Sequence, residues 1–188
     1  MNILLTGANG FIGSNLYNLL ISKNYYVITL SKSNPKKLKN NIICDLKNNI
    51  IINKKIKFDA IIHCAALSPT LKKDKYFENF YKDNIVATKN IIDFANKKKV
   101  KKIIFLSSIS VYGQVSKKEI NEKTDIINTS NYGLSKLICE NLLNDSKNYF
   151  NSISIRLPGV IGKNSVRNWL TNCLKLAKKN KSIEIYNP

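Results

Sequence analysis

Three groups of residues in this 188-residue chain have types and spacings suited to chemistry. The first is Thr6-Gly7-Ala8-Asn9-Gly10-Phe11-Ile12-Gly13, with glycines at G-x-x-G-x-x-G spacing. In such a turn the first glycine permits a tight reversal. The second lets backbone approach a pyrophosphate, and the third lets helix and strand pack closely. A helix starting there presents unpaired N–H groups and its positive dipole end to phosphates. The trio is a weak signal alone. It gains force from the apolar run before it and the helical pattern after it, the setting of a dinucleotide turn. Gly7, Asn9, Gly10, Phe11, Ile12 and Gly13 are therefore candidate cofactor-binding residues.

The second group lies at the adenosine end of such a site. Where an acidic residue would accept the ribose hydroxyls of NAD, the sequence reads Leu30-Ser31-Lys32-Ser33. A hydroxyl and an ammonium suit a 2′-phosphate instead, so Ser31 and Lys32 favour NADP over NAD. Asp45 can accept from the adenine amino group while Leu46 covers the ring. The third group is Ser107-Ser108-Ile109-Ser110-Val111-Tyr112-Gly113, followed by Tyr132-Gly133-Leu134-Ser135-Lys136. Tyr132 and Lys136 are four apart and share a helix face. A neighbouring cation is expected to lower the phenol pKa from about 10, readying it for proton exchange with a hydroxyl or ketone. Ser108 can orient the same oxygen.

These residues need elements to hold them. Apolar runs alternate with helical periodicity, which implies a parallel sheet. Strands are expected at 2–5, 25–30, 41–44, 58–64, 101–107, 152–157 and 183–186. Helices are expected at 11–23, 83–98, 131–148 and 165–180. The result is an α/β fold, a doubly wound parallel sheet with helices on both faces and its ligand at the carboxyl ends of the strands.

Composition sets the outer limits. At 44% hydrophobic and 23% charged residues, the chain is an ordinary globular one of single-domain length. No apolar run approaches the roughly 18 residues of a membrane helix, and 1–5 carry no basic region of a signal peptide. Four scattered cysteines and one histidine do not form a zinc pattern, and reduced cysteines suit a cytoplasmic protein. The net charge of +19 invites a nucleic-acid reading. Against it, 29 of the 31 basic residues are Lys, whereas phosphate and base recognition favours the Arg fork. Asn and Ile number 27 each, so the Lys excess fits an AT-rich coding bias. The run Lys97-Lys98-Lys99-Val100-Lys101-Lys102 falls where a helix should hand over to a strand, as a solvated turn.

Taken in order, these motifs resemble the extended short-chain dehydrogenases/reductases of the nucleotide-sugar epimerase/dehydratase type. The resemblance also rests on His63-Cys64-Ala65-Ala66, on Asp83-Asn84-Ile85-Val86-Ala87-Thr88-Lys89-Asn90, and on Arg156-Leu157-Pro158-Gly159-Val160-Ile161-Gly162. It implies a Rossmann-type domain over 1–162 and, at 163–188, the start of a substrate-binding region that is otherwise missing. It implies a catalytic triad of Ser108, Tyr132 and Lys136. It places Ala65 and Ala66 along the cofactor channel and Pro158 near the nicotinamide. Asn84 would support the sheet and site, and His63 would be a packed structural residue. A nucleotide-sugar substrate and a homodimer formed by the helices at 83–98 and 131–148 are implied too. Ile109 and Ser110 stand where sugar dehydratases carry Asp-Glu, which leaves epimerase or keto-sugar reductase. The alternative is a non-catalytic dinucleotide-binding module or an inactive fragment.

Overall fold

The computed structural model describes residues 1–52, 55–69, 76–116, 118–162, 165 and 169–183. The chain divides into two compact units, Met1–Leu157 and Pro158–Pro188. In the first, β1 (Asn2–Thr6) leads through the glycine turn into α1 (Phe11–Ser22), followed by β2 (Tyr26–Ser31), β3 (Asn41–Ile43) and β4 (Ala60–His63). Next come α2 (Phe77–Phe80), a π-helical segment (Tyr81–Val86) and α3 (Ala87–Lys97), which run on from one another. Then follow β5 (Lys102–Ser108), a 3₁₀ turn (Ile109–Tyr112), α4 (Asn131–Asp145) and β6 (Asn151–Leu157). The second unit contains α5 (Trp169–Ala177). Among the described residues no helix is long and apolar enough to cross a membrane.

The six strands are all parallel and ordered β3-β2-β1-β4-β5-β6. The order in which strands are added reverses between β1 and β4, so a crevice opens beyond their carboxyl ends. Register sets the residues of that rim. Thr6 pairs with both Leu30 and His63, so Gly7, Ser31 and Cys64 emerge side by side. Alternation along β1 feeds two cores. Leu4 joins Ile61, Ile91, Ile103, Phe105 and Leu143 under α3 and α4, while Ile3 and Leu5 join Val27 and Ile62 under α1.

Most expected elements are present, with informative departures. The helix expected at 83–98 begins earlier, at Phe77, and passes through a π turn before Ala87. The strand expected at 58–64 pairs only over Ala60–His63, although Phe58 stays buried in the core. Of the strand expected at 183–186, Ile183 is outside any strand and 184–186 lie outside the described residues. In the helix expected at 165–180, 166–168 likewise fall outside them, and α5 covers Trp169–Ala177. The apolar residues of α3 are spent inside the chain. Ile91, Ile92, Phe94 and Ala95 are buried, and its outer face carries a Lys89–Asp93 ion pair. The Lys97–Lys102 run is the turn between α3 and β5, with Val100 buried at its centre.

Candidate functional site

The glycine turn is tight for steric reasons. Gly7 has φ +72°, and a Cβ there would lie 2.6 Å from Ala65 N. At Gly13 a Cβ would lie 2.1 Å from Gly7 O, so this glycine lets α1 press on the turn itself. Gly10 differs. Its φ is −76°, and the nearest atom to an added Cβ is Gly7 O at 3.2 Å. That contact is close but far less severe than those at Gly7 and Gly13. Gly10 is also the N-cap of α1, where no side chain caps the helix and no acidic residue sits in the first turn. The N–H groups of Phe11, Ile12 and Gly13 begin a helix and lack intrahelical acceptors, which suits an anion. Asn9 Nδ2 donates to Ser33 O at 2.8 Å, while its buried Oδ1 has no partner among the described residues. An open glycine face, an uncapped helix start and an orphaned acceptor all fit a dinucleotide phosphate and ribose.

Gly7, Asn9, Gly10, Ser31, Lys32, Asp45, Leu46, Ala65 and Ala66 line one cleft of about 390 Å3. Its walls are tied together beneath the rim. Thr6 Oγ1 accepts from Ala65 N at 3.1 Å and shares a hydrogen bond with His63 Nδ1 at 2.7 Å. The other ring nitrogen, Nε2, hydrogen-bonds with Thr88 Oγ1 at 3.1 Å. His63 is fully buried against Phe105, and burial, with the Lys136 charge, pushes its pKa down to about 3. It is a neutral strut joining β1, β4 and α3.

At the adenosine end, Ser31 Oγ lies 2.7 Å from both Ser33 O and Asn41 Oδ1. Lys32 Nζ meets Asp83 Oδ1 at 2.9 Å and Asp45 Oδ1 at 3.6 Å. The Asp83 hydrogen bond is the main reason the Lys32 pKa is raised. Lys47 completes the group, 3.6 Å from Asp45 Oδ2 and 4.0 Å from Asp83 Oδ1. Lys32 is thus already paired with carboxylates in the free chain. Lys47 and Asp83 line the same cleft; Asp83 opens the Asp83–Asn90 motif, but the sequence marks neither as a cofactor residue.

Ser108, Tyr132 and Lys136 come together at the carboxyl end of β5. Ser108 caps the 3₁₀ turn, its Oγ accepting from Ser110 N at 3.1 Å. Ser130 caps α4 by accepting from Gly133 N at 3.1 Å. Gly133 allows α4 to seat on that turn, since a Cβ there would fall 2.1 Å from Ser110 O. This docking brings Tyr132 beside Ser108, near enough for the serine hydroxyl to favour the ionised phenol. Lys136 is buried, donates to Leu106 O at 2.7 Å, and sits 4.5 Å from the Phe105 ring centre and 5.9 Å from that of Tyr132. Its charge reaches Cys64, a residue of the cleft wall. The expected tuning of the phenol is reversed in the free chain. Burial raises the Tyr132 pKa, the Ser108 hydroxyl opposes it, and the ammonium is turned toward the Leu106 carbonyl. Burial also lowers the Lys136 pKa to about 8.

Residues around the cluster support it, Glu140 among them without any signal in the sequence. Glu140, one turn past Lys136, accepts from Ser107 Oγ and from Arg156 Nε and Nη2, the last at 2.7 Å. Asn84 donates to Ser135 Oγ at 3.0 Å and exchanges hydrogen bonds with both backbone groups of Leu67. Pro158 opens the second unit.

Comparisons with known proteins bear on the family and the fold. The profile of the NAD dependent epimerase/dehydratase family matches residues 3–188. UDP-glucose 4-epimerase of Caenorhabditis elegans is 30% identical over 200 residues, covering 87% of this chain and 57% of the relative. D-erythronate dehydrogenase of Haemophilus influenzae is 29% identical, covering 97% of this chain and 58% of the relative. This chain therefore spans little more than half the length of those curated relatives. A crystal structure of UDP-galactose 4-epimerase superposes with a TM-score of 0.83 at 25% identity, covering 97% of this chain and 65% of the other. UDP-glucuronic acid 4-epimerase from Bacillus cereus, solved in complex with NAD, gives 0.80 at 25% identity, covering 97% and 64%. With the glycine turn, the 3-2-1-4-5-6 sheet and a family match over residues 3–188, the chain belongs to the NAD dependent epimerase/dehydratase family.

Proposed function

We propose that the chain binds a nicotinamide dinucleotide across the Gly7–Gly13 turn and handles the proton in a hydride-transfer reaction on a nucleotide sugar. The observation that supports this is the meeting of Ser108, Tyr132 and Lys136 beside a cleft built on that turn. When bound, the dinucleotide supplies hydride acceptance and return. The first turn of α1 holds the pyrophosphate, Asp45 and Leu46 hold the adenine, and Ala65 and Ala66 form the facing wall. Judged from β2 alone, Ser31 and Lys32 favour NADP over NAD.

Tyr132 takes the proton from the sugar hydroxyl as the carbon is oxidised and gives one back as it is reduced. Ser108 hydrogen-bonds the same oxygen and fixes its position. Lys136 acts on Tyr132 through its charge once its ammonium leaves the Leu106 carbonyl, and it also serves the nicotinamide ribose. The UDP-sugar 4-epimerases among the relatives favour epimerisation, with oxidation and re-reduction at one carbon. A second reading is net oxidoreduction, as by a keto-sugar reductase, favoured by the match of 97% of the chain to a dehydrogenase. The homodimer would draw its apolar contacts from exposed Tyr81 and Leu134 rather than from the charged face of α3. Cytoplasmic residence suits this chemistry and four free cysteines.

Tyr132→Phe removes one oxygen and leaves the packing. Dinucleotide affinity should be kept, while interconversion of UDP-glucose and UDP-galactose, or reduction of the keto sugar, should fall by about 10²–10⁴. Near-normal turnover in that variant would overturn the assignment, and loss of binding together with turnover would point to a structural role for Tyr132.

A further inference from the structure

The carboxylate missing from the end of β2 has a spatial substitute. Asp83 lies 51 residues from Lys32 in sequence, yet its Oδ1 is 2.9 Å from Lys32 Nζ, and both residues line the cleft with Gly10 and Ser31. Its side chain is 29% exposed, so the carboxylate is open to the cleft. Both of its ion pairs fall on Oδ1. Asp45, by contrast, is engaged within its own turn, accepting from Lys47 N at 3.0 Å.

Asp83 is also rigidly placed. It belongs to the π-helical segment Tyr81–Val86, whose wider turn buries the next two residues, Asn84 and Ile85. Asn84 is clamped on two sides, to the backbone of Leu67 and to Ser135 of α4. A carboxylate one residue from that clamp is held in place before any ligand arrives.

We propose that Asp83 is the residue that discriminates between NAD and NADP in this chain, accepting a ribose hydroxyl and repelling a 2′-phosphate. The inference rests on the dinucleotide assignment above and reverses the preference suggested by Ser31 and Lys32. The positive charge of Lys32 does not stand free to receive a phosphate, because Asp83 and Asp45 already face it. A 2′-phosphate near Lys32 meets two carboxylates as well as two ammonium groups. A ribose hydroxyl meets an acceptor without like-charge repulsion.

The test is calorimetric titration of NAD and NADP into the wild-type chain, Asp83→Asn, and the double variant Ser31→Asp/Asp83→Asn. The wild type should bind NAD about tenfold tighter than NADP, a ratio equivalent to about 1.4 kcal/mol. Asp83→Asn should move that ratio toward NADP by about tenfold or more. The double variant, which returns a carboxylate to β2, should restore NAD preference, a rescue that a merely structural role for Asp83 would not give. A ratio unchanged in Asp83→Asn overturns the inference, as does failure of the double variant to restore it. If neither dinucleotide binds the folded wild type, the dinucleotide assignment itself falls.

Discussion

An ammonium taken out of water needs partners, and Lys136 has few. It has one hydrogen bond to Leu106 O and the faces of Phe105 and Tyr132. Desolvation therefore lowers its pKa from 10.5 to about 8. The sign of the consequence follows from proton counts. Between about 8 and 10.5 the unfolded chain holds the proton and the folded chain releases it, so this group makes stability rise with pH across that window. Below about 8 both states are protonated, and the burial cost is present in full. Lys136→Met lacks the term. Measured by urea unfolding, the advantage of Lys136→Met over wild type should be largest near neutral pH and shrink by up to about 3 kcal/mol by pH 10.5. A difference independent of pH would mean that Lys136 is not desolvated as described. The spacing of Tyr132 and Lys136 made their shared face legible in the sequence. Where the ammonium points was not legible, because the Leu106 carbonyl that receives it lies 30 residues away.

At the scale of elements, the strands were largely readable because a sheet covered on both faces demands apolar runs. Helix ends were less so. Helices α1, α3 and α5 end in the same way, with a left-handed residue after the last turn, at Asn24, Lys99 and Asn180. Each next residue bonds back five positions, as Val100 N does to Ala95 O at 2.9 Å. Such ends commonly use glycine. In a chain with seven glycines, asparagine serves at two of these three ends, and its tolerance of that conformation makes them interpretable afterwards. Lys99, at φ +55°, gives no signal at all. Lys99→Gly should therefore raise stability by about 0.5–1 kcal/mol, read from the denaturation midpoint. A loss of stability would show that the lysine side chain makes compensating contacts. The π segment was hidden for a similar reason. Its sequence carries no marker, and the wider turn is held by Asn84 bonding to Leu67 and Ser135.

At the scale of the molecule, sheet order explains why residues from distant segments share one cleft. The strand order 3-2-1-4-5-6 puts the ends of β1, β2 and β4 side by side, so the turn after Thr6 faces the segments after Leu30 and His63. The glycine turn was legible because a strand and a helix flank it directly. The Lys32–Asp83 pair was not, since only tertiary packing closes a separation of 51 residues. The charge of +19 belongs to this scale as well. It would favour the approach of the anionic dinucleotide proposed above, an effect on association rate that salt will screen. The central claim, that the turn at Gly7–Gly13 holds the dinucleotide pyrophosphate, is tested most directly at Gly10. An added Cβ there meets Gly7 O at 3.2 Å, a close contact that the turn can relieve by a few tenths of an ångström, so Gly10→Val should fold with a loss of stability on the order of 1 kcal/mol. Its side chain would occupy the space the phosphates need. Calorimetric titration of NAD and NADP into wild type and Gly10→Val, each checked by circular dichroism, is the measurement. The account predicts binding to the wild type and at least a roughly hundredfold loss, about 2.7 kcal/mol, in the folded variant. Unchanged affinity in a folded Gly10→Val protein would contradict it.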